Sequence, residues 1–436
     1  MITTPKKNKL ASSTLGNTSS EQHFKKMNSS TATNSASKNS KLMSRVKKGE
    51  EKEEEKEENV TSHNLLIYTK MENNYHLSNK KAIFYNLKVY YEAIGKEYHS
   101  SLPLTFHIKE GLNDSQFQKF EQLFNDAQDS SKETILDKLP KFGKNLWIIK
   151  PGENTNRGCG IQVSRELDHI KGLIQNINVN GNRRSYIIQK YIEKPLLYKN
   201  RKFDIRCFTL MCTINGNLQG YWYSDGYLRT SCREFTLKNV SNRYVHLTND
   251  AVQKRLDDYG KFESGNKLSY IEFQKYLDSM KLDCDFVKTV IPRMRGMAQD
   301  SMRAISRKID PSRKTFSFEI FGYDFMIDED FNPWMIEVNT NPCLELSSPY
   351  LARLIPAMVE NALKVAVDPI FPPPPVPNSK KHTLPDAQDN KFELIYNERT
   401  DAAELKNLPI DDNMNGIIEE EEMEEEGSDV DDDEDQ

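Results

Sequence analysis

Two long stretches of alternating side chains constrain the fold more than any other feature of this 436-residue chain. The first, residues 204–214 (DIRCFTLMCTI), leads into Asn215-Gly216 and then into the segment NLQGYWY. Alternation with a period of two predicts a half-buried strand, and an Asn-Gly pair between two such segments predicts a tight hairpin. The second, residues 316–339, has two alternating halves around an Asp/Asn/Pro turn. Long antiparallel strands are therefore expected in the second half of the chain.

Apolar residues at helical spacing occur on both sides of these strands. They predict helices over residues 80–94, 115–127, 282–305 and 351–367, and Pro292 breaks or starts the third of them. Shorter strand patterns occur in SLPLTFHI, LWII, GIQV and SYIIQKYI. This mixture of helices with antiparallel strands predicts an α+β fold.

Charge and composition separate the two ends from the middle. Residues 1–48 contain ten Lys or Arg and one acid, residues 50–58 contain seven Glu and two Lys, and residues 419–436 contain thirteen acids and no base. Such low-complexity stretches do not bury enough apolar surface to fold, so disordered ends are expected. We predict four segments: a disordered basic-then-acidic tail (1–62), a smaller α/β domain (63–145), a larger domain (146–371), and a Pro-rich linker with an acidic disordered tail (372–436).

Composition and motif spacing exclude several classes of protein. No run approaches the roughly 18 apolar residues of a membrane span, and no apolar segment of a secretory signal follows the basic start. Six cysteines form no CxxC pair, so neither a disulfide scaffold nor a zinc module is expected. GxxxxGK[ST] is absent, and the only GxG, at residues 158–160, lacks the third glycine, which excludes P-loop and Rossmann nucleotide sites.

The second strand pair places two acids and an amide together. Asp324 lies in the strand pattern GYDFMID, and Glu337 and Asn339 alternate onto one face of MIEVN. Both segments are otherwise apolar, so buried acids here need a partner. Carboxylate and amide oxygens are the hard ligands that Mg²⁺ prefers. A solvated face is the alternative, and the metal site is the stronger interpretation.

Basic side chains mark two further places. Lys150 precedes a polar, glycine-containing loop between two strands, which can bring an ammonium group and backbone N–H groups to phosphates, although most such loops are surface hairpins. Lys202, Asp204 and Arg206 share one strand face, which suits either a bound polyanion or a structural ion pair. Arg229 follows the next strand, where its planar guanidinium could hold a carboxylate through two hydrogen bonds.

Two more segments have open roles. In HLTN, Thr248 and Asn249 are either helix N-caps or polar groups of a site. Residues 189–192 (QKYI) are either a core strand or, through their backbone, an edge for a flat base.

Eight segments, taken in order, resemble the tubulin–tyrosine ligase family, which has the ATP-grasp fold. They are KPGENTNRGCGI, QKYIEKPLL, RKFDIRCF, GYLRT, HLTN, YGKFESGN, FGYDFMID and WMIEVN, within about residues 147–372. Each segment is weak evidence alone, but eight in order are specific. The resemblance implies an ATP-grasp ligase core preceded by a smaller α/β domain.

The resemblance also implies roles for individual residues. ATP would be bound by Lys81, Lys150, Asn156, Arg157, Gly158, Gly160, Ile161, Gln189, Lys190, Tyr191, Ile192, Lys202, Asp204, Thr248 and Asn249. Mg²⁺ would be held by Asp324, Glu337 and Asn339. Lys150, Arg206 and Arg229 would act in catalysis, and Arg229 and Lys254 would contact substrate.

Departures from the family pattern leave the added amino acid open. GYLRTS and YGKFESGN resemble the tyrosine-adding branch, whereas KPGENTNRGCGI resembles the glutamate- and glycine-adding branches. Glutamate-adding members tend to have Tyr and Ser after HLTN, where this chain has Asp250 and Ala251. The small domain that begins other members is not found before His63.

The expected function is an ATP-dependent carboxylate–amine ligase that adds tyrosine, glycine or glutamate to tubulin through an acyl phosphate. One alternative is an inactive member that serves as a microtubule-binding module, and another is an ATP-grasp ligase for a small molecule. Tubulin or microtubules and a free amino acid are the expected partners, without nucleic acid or membrane. A monomer is expected, located in the cytoplasm and cytoskeleton, including the cilium or basal body.

Overall fold

The Asn-Gly hairpin predicted from the sequence joins the two longest described strands of the fold. In a computed structural model of the chain, Asn215 (φ 50°) and Gly216 (φ 70°) form the turn, and Ile214 pairs with Asn217 across it. Both turn residues have positive φ, as a type I′ hairpin turn requires. The second strand of the hairpin is 18 residues long and extends well beyond the predicted NLQGYWY segment.

The structure describes residues 66–139, 143, 145–152, 158–175, 178–179, 182–314, 316–374 and 390–408. All of them belong to one compact unit, Asn64–Gln436. The predicted disordered ends, apart from residues 372–374 and 390–408, lie outside the described residues. No helix within the described residues is long and apolar enough to cross a membrane.

The described helices alternate with strands along the chain. They are α1 (Tyr75–Ser78), α2 (Lys80–Ala93), α3 (Ser115–Asp126), α4 (Leu167–Gln175), α5 (Arg243–His246), α6 (Asp250–Gln253), α7 (Tyr270–Ser279), α8 (Ile291–Ile305), α9 (Leu351–Ala366) and α10 (Glu398–Lys406). A π-helix, Phe286–Val290, precedes α8, and Pro292 lies in the first turn of α8. Proline is tolerated there because the first-turn N–H groups have no intrahelical acceptor.

The strands build two main sheets and one short pair. They are β1 (Thr105–Ile108), β2 (Trp147–Pro151), β3 (Gln162–Ser164), β4 (Asn178–Val179), β5 (Asn182–Arg183), β6 (Tyr186–Lys190), β7 (Leu197–Tyr198), β8 (Arg201–Ile214), β9 (Asn217–Glu234), β10 (Lys267–Ser269), β11 (Phe316–Ile327), β12 (Pro333–Asn339) and β13 (Phe392–Asn397).

The large sheet has the order β10-β9-β8-β11-β12, with β13 also on β9 and β7 also on β8. The small sheet has the order β1-β6-β2-β3, and β4 pairs with β5. All of these strand pairs are antiparallel. The predicted α+β class is confirmed by this mixture of helices and antiparallel sheets.

Each face of the large sheet is covered by a different set of helices. Alternate β8 residues Phe203, Ile205 and Cys207 pack in a core with side chains of α2, α7 and α8. On the opposite face Phe208 and Leu210 pack against α9. The small sheet packs on α3 and α4 through an aromatic cluster around Trp147. Burial on both faces explains why β8 is apolar along most of its length.

The C-terminal segment differs from the sequence-based expectation. Residues 390–408, assigned above to a linker and tail, form β13 and α10. Phe392 and Tyr396 are buried against β9, and Arg303 and Arg313 form ion pairs with acids of α10. The prediction of a linker and disordered tail is therefore wrong for residues 390–408. The error arose because three buried side chains, Phe392, Tyr396 and Leu405, anchor a segment that is rich in polar residues.

The small sheet also joins segments that the sequence analysis separated. β1, from the predicted 63–145 domain, pairs with β6, from the predicted 146–371 domain, through four residue pairs that include Thr105 with Gln189. The predicted boundary at residue 145 thus lies between strands of one sheet.

Candidate active site

A cavity of about 1050 Å³ is lined by both sheets. Lys150 and Gln189 come from the small sheet, and Arg206, Arg229 and Asp324 come from the large sheet. The volume is near the upper end of small-molecule sites, which typically measure about 300–1000 Å³. The cavity is therefore large enough for a nucleotide together with part of a second substrate.

The floor of the cavity is a charged continuation of an apolar strand face. On β8, Phe208 and Leu210 pack under α9, and Arg206, Asp204 and Lys202 continue the same face because side chains alternate with a period of two. All three line the cavity. Lys202, Asp204 and Arg206 therefore lie on one face of β8, as the sequence predicted.

Strand register turns these residues into a chain of ion pairs. Arg229 lies opposite Asp204, and its Nε and Nη2 donate to the two carboxylate oxygens at 2.5 and 2.9 Å. Arg206 lies opposite Asp324 and contacts it in the same way at 2.5 and 3.1 Å. Nη2 of Arg229 also reaches Asp324 at 2.7 Å, which joins the two pairs. Thr248 completes the chain because its hydroxyl donates to Asp204.

Burial makes this chain rigid and strongly coupled. Asp324 is only 1% exposed, and the two arginines are each 6% exposed. Burial alone would raise the pKa of Asp324, but the guanidinium groups of Arg206 and Arg229 outweigh it and hold that pKa well below its usual range. Burial alone would lower the pKa values of the two arginines. The neighbouring carboxylates outweigh this effect, so both pKa values are raised.

Each arginine retains one donor group for a ligand. Arg206 and Arg229 use Nε and Nη2 for the carboxylates. Within the described part of the chain, Nη1 of either residue has no hydrogen-bond acceptor, and both residues line the cavity. Two positively charged donors are thus held in place by protein carboxylates, beside the space where a ligand would lie.

The three predicted metal ligands come together beside these arginines. Asp324 on β11 lies opposite Glu337 on β12, and Nδ2 of Asn339 is 3.4 Å from Asp324 and 3.3 Å from the Gly322 carbonyl. Burial and then the Asp324 carboxylate raise the pKa of Glu337. Two acids that close together favour a shared cation.

The donor set fits Mg²⁺. Among the described residues no three His, Cys, Asp or Glu side chains group to hold a metal, so the third ligand here would be Asn339. A half-turn of its amide would present Oδ1 in place of Nδ2, and all three groups line the cavity.

Lysines dominate the other end of the cavity, and neutral atoms hold them. Lys150 donates to Oε1 of Gln189 at 2.8 Å, and Gln189 donates in turn to Thr105 at 2.9 Å. Lys202 donates to the hydroxyl of Tyr191 at 2.9 Å and to the carbonyl of His246 at 2.7 Å. Burial lowers the pKa of Lys150 to about 8 and that of Lys202 to about 7.

Tyr191 and His246 fix the position of Lys202. Nε2 of His246 lies 3.1 Å from the carbonyl of Asn239 and must donate to it. Nδ1 therefore accepts from the Tyr191 hydroxyl at 2.9 Å, which leaves that oxygen free to accept from Lys202. Burial lowers the pKa of His246 to about 4, which keeps the imidazole neutral for this role.

The glycine-containing loop is held at the lysine side of the cavity. Gly158 (φ 74°) and Gly160 (φ 68°) have a conformation that favours glycine, and a Cβ at Gly160 would lie 2.6 Å from Pro151. Arg243 donates to the Gly158 carbonyl. Gly158 and Ile161 line the cavity. Asn156 and Arg157, also predicted to bind phosphates, lie outside the described residues.

The family of the chain follows from sequence comparison. Residues 58–375 match the model of the tubulin-tyrosine ligase family. The chain belongs to this family. The resemblance proposed from eight short segments is thereby confirmed, and the match includes every candidate site residue named above.

Several relatives are glycine ligases by name. Tubulin glycylase 3A of Drosophila melanogaster is 36% identical over 259 residues, which are 58% of this chain and 24% of the relative. Human tubulin monoglycylase TTLL3 is 32% identical over 263 residues (58% and 32%). Human protein monoglycylase TTLL8 is 31% identical over 282 residues (64% and 32%). The chain thus spans about a quarter to a third of the length of these relatives.

Some predicted family residues contact the cavity differently from expectation. Gln189, Lys190, Tyr191 and Ile192 all line it, and the Lys190 ammonium bonds Glu193 and the Leu146 carbonyl at 2.8 Å each, beside Trp147. The Lys190 ammonium is thus held by protein groups, which leaves the backbone of residues 189–192 for the predicted contact with a base. Burial lowers the pKa of Lys190 to about 8, despite the ion pair.

Lys81 is a second exception. It is 2% exposed on α2 and does not line the cavity, whereas its neighbour Lys80 does. Asn79 is the N-cap of α2, and its side chain accepts a hydrogen bond from the backbone N–H of Lys81. Consecutive residues of a helix lie on different faces, so Lys80 and Lys81 have different surroundings. In the structure Lys80 lines the cavity in place of Lys81, and it lies close enough to Glu337 and Lys150 to act on their charges.

Lys254, Thr248 and Asn249 also line the cavity. Lys254 forms a 2.6 Å ion pair with Glu345 and is 40% exposed. Asn249 is the first residue before α6 but makes no side-chain cap, so the N-cap alternative does not explain it. Thr248 caps nothing either, because it bonds Asp204. Tyr227 also lines the cavity and was not predicted, although its position two residues before Arg229 on β9 puts it on the same strand face.

Proposed function

We propose that the chain is an ATP- and Mg²⁺-dependent ligase of ATP-grasp type that joins glycine to a carboxylate of tubulin. The observation that carries the ligase proposal is the cavity floor, where two arginines keep a free Nη1 beside the Asp324, Glu337 and Asn339 set. The names of the relatives support glycine as the added amino acid and tubulin as the acceptor. The relatives are much longer, so the acceptor is inferred for the shared segment.

The chemistry of the reaction explains the need for ATP. A carboxylate does not acylate an amine at neutral pH because oxide is a poor leaving group. Transfer of the γ-phosphoryl group from ATP to the acceptor carboxylate gives an acyl phosphate and ADP. The glycine amine then attacks the acyl carbon, a C–N bond forms, the C–O bond to phosphate breaks, and the amine loses a proton as inorganic phosphate leaves.

The residues of the chain would divide this work by charge. Lys150 and Lys202 would hold the nucleotide, because neutral atoms are their hydrogen-bond partners in the part of the chain that the structure describes. Nη1 of Arg206 and Nη1 of Arg229 would stabilise charge on the transferring phosphoryl group and on the substrate carboxylates. Mg²⁺, when bound to Asp324, Glu337 and Asn339, would neutralise phosphate charge.

The base of the nucleotide would lie along an apolar wall. Ile148, Ile161, Ile192, Met326 and Ile336 line the same cavity as the two lysines. Flat aliphatic surfaces of this kind bury the faces of a purine, and polar groups at the edge fix its orientation.

Incubation with one labelled amino acid at a time tests the proposal. Purified protein, tubulin and Mg-ATP are combined with labelled glycine, glutamate or tyrosine in separate reactions. We expect glycine label on tubulin only when ATP is present. Label from a different amino acid would correct the specificity, and no label from any would favour the inactive, microtubule-binding alternative.

A non-tubulin acceptor is tested in the same series. The relative named protein monoglycylase TTLL8 raises this second candidate. A parallel reaction replaces tubulin with a glutamate-rich peptide of unrelated sequence. Incorporation at equal efficiency would mean that the chain recognises acidic segments in general. The proposed site of action is the microtubule cytoskeleton, with the cilium as one place to examine.

A further inference from the structure

One corner of the cavity has no role in the nucleotide, metal or phosphoryl contacts. It consists of Tyr227 on β9, Lys267 on β10 and Asp250 at the start of α6, and we call it the Asp250 corner. Lys267 contacts both oxygens of Asp250 at 2.6 and 2.7 Å and the Gly265 carbonyl at 3.0 Å. The Lys267 side chain is fully buried, whereas the Asp250 side chain is 28% exposed and lines the cavity.

Strand register places this corner beside Arg229. Lys267 lies directly opposite Arg229 in the β10–β9 pair, so the two side chains share one face. Tyr227 is two residues before Arg229 and extends from the same face. The Lys267 ammonium lies 5.9 Å from the Tyr227 ring centre. Asp250 is thus held on one side of Arg229, and Asp204 on the other.

Tyr227 presents an unused polar group to the cavity. The residue is only 4% exposed, and its hydroxyl has no hydrogen-bond partner among the residues that the structure describes. Its ring packs against Phe208, with the ring centres 6.2 Å apart. A buried tyrosine usually pairs its hydroxyl, so one that faces a cavity without a partner indicates a ligand contact.

Charge balance indicates what kind of ligand fits. The cations Arg206, Arg229 and Lys267 are matched by Asp204, Asp324 and Asp250. A neutral, alternating arrangement does not favour a polyanion, but it suits a zwitterion that needs an anionic and a cationic partner at once. A free α-amino acid is such a molecule.

We propose that the Asp250 corner binds the incoming amino acid and limits it to glycine. Asp250 accepts hydrogen bonds from the ammonium, and Nη1 of Arg229 with the Tyr227 hydroxyl holds the carboxylate. The Tyr227 ring occupies the space that a side chain would need. The inference rests on the proposed ligase function and names the determinant of its amino-acid specificity.

A gain of function tests the size limit. Tyr227→Val removes the ring, and we expect kcat/KM for alanine relative to glycine to rise by about tenfold, since one methyl group commonly changes discrimination by that factor or more. Tyr223→Val is the control, because it truncates another buried tyrosine of β9 that does not line the cavity. The control should keep the glycine preference of the wild type. An unchanged preference in active Tyr227→Val would overturn the size limit.

Asp250→Asn tests the ammonium contact independently and keeps nearly the same volume. We expect KM for glycine to rise about tenfold with KM for ATP unchanged. Asp258→Asn is the control, because Asp258 forms exposed ion pairs outside the cavity lining. Equal KM for glycine in Asp250→Asn and wild type would overturn the contact. A wild type that transfers no amino acid would instead overturn the proposed function and the subsite with it.

Discussion

The two ends of the cavity hold their positive charges in opposite ways. At the arginine end, Arg206 and Arg229 are bound in forks by Asp204 and Asp324. At the lysine end, Lys150 and Lys202 are bound by an amide oxygen, a hydroxyl and a carbonyl. Both ends are buried, yet the pKa values of the arginines are raised and those of the lysines are lowered.

This difference in partners indicates that the arginines are positioned before substrate arrives, whereas the lysines serve mainly to bind an anion. A guanidinium that is held by carboxylates is fixed before substrate arrives, so it needs little reorganisation to stabilise a transition state. A buried ammonium without a counter-ion is costly in the free protein and is stabilised when an anion enters. The arginine end is therefore a rigid frame for the chemistry, and the lysine end is a binding site that gains most from phosphate.

The largest expected effect comes from the acid that joins the two arginines. Asp324→Asn removes the shared partner of Arg206 and Arg229, and breaking a buried ion pair typically costs about 3–5 kcal/mol. We expect a markedly lower melting temperature and a rate loss of at least about 100-fold. Thermal unfolding and labelled glycine transfer measure the two effects.

Glu337→Gln is the matched variant. Glu337 lies opposite Asp324 but contacts no arginine in the described residues. It should lose activity to a similar degree, as a metal ligand would, with little change in melting temperature. Equal losses of stability in both variants would mean that the ion pairs of Asp324 with the two arginines do not specifically stabilise the arginine end. Near-normal turnover by both at saturating Mg²⁺ would mean that the metal ligands are wrongly assigned.

Arg229→Lys should have the next largest effect. A lysine cannot reproduce the fork on Asp204 or keep a separate donor for substrate, because its ammonium is a point charge. We expect KM for the amino acid to rise about tenfold. Arg233→Lys is the control, since Arg233 is on the same strand, is 50% exposed and pairs with Asp258. An unchanged KM for the amino acid in Arg229→Lys would place the substrate carboxylate elsewhere.

The lysine end predicts a smaller effect that depends on pH. Burial lowers the pKa of Lys202 to about 7 and that of Lys150 to about 8, from an ordinary value of 10.5. The folded, nucleotide-free protein thus holds fewer protons than the unfolded chain in this range, and its stability should rise with pH from about 7 to about 10.5. Phosphate binding favours the protonated lysines, so KM for ATP should rise several-fold between about pH 7 and 9.

Lys202→Met separates this cause from general pH effects. The variant should bind ATP more weakly at pH 7, yet it should be more stable without nucleotide, because it removes a buried cation whose cost the nearby Asp204 offsets only in part. Its KM for ATP should depend less on pH than that of the wild type. If the wild-type KM for ATP is flat from pH 7 to 9, the lysines keep their protons and the proposed difference between the two ends fails.

The sequence predicted the residues of the site better than their contacts. Alternation placed Lys202, Asp204 and Arg206 on one face, because the period of a strand is a local property. The forks on Asp204 and Asp324 depend on the registers of three strands, which the hairpin turn and the later β11 segment set together. A single sequence does not give that register. For this reason Arg229 was expected to meet only a substrate, although it already holds two acids of the protein.

Lys80 and the C-terminal strand were missed for a different reason. Whether Lys80 or Lys81 faces the cavity depends on the residue at which α2 begins, and helix boundaries are uncertain by one or two residues from pattern alone. The strand β13 has a short apolar run, FELIY, within a polar part of the chain, and its contact with β9 decides that it folds as an added strand of the sheet. In both cases tertiary contacts decide between local alternatives.

The smallest expected effect concerns residues 419–436, which lie outside the described residues and contain thirteen acids and no base. Lysines that donate to no carboxylate within the described residues should attract acidic segments in general, since Coulomb attraction carries little shape information. A segment on the same chain would compete with an acidic acceptor at an effective concentration on the order of millimolar. We therefore expect deletion of 419–436 to lower the apparent KM for tubulin about twofold at low ionic strength.

Salt distinguishes this competition from a role of the segment in solubility alone. Near about 0.3 M salt the Debye length is well under about 10 Å, so the deletion should then change KM much less. A matched variant that replaces the same acids with Asn and Gln should behave like the deletion, because it removes charge and keeps length. If deletion and wild type give the same KM at low salt, acidic segments do not reach the lysine end. The attraction of that end would then be limited to the phosphates of a bound nucleotide, which the cavity walls bring within contact distance.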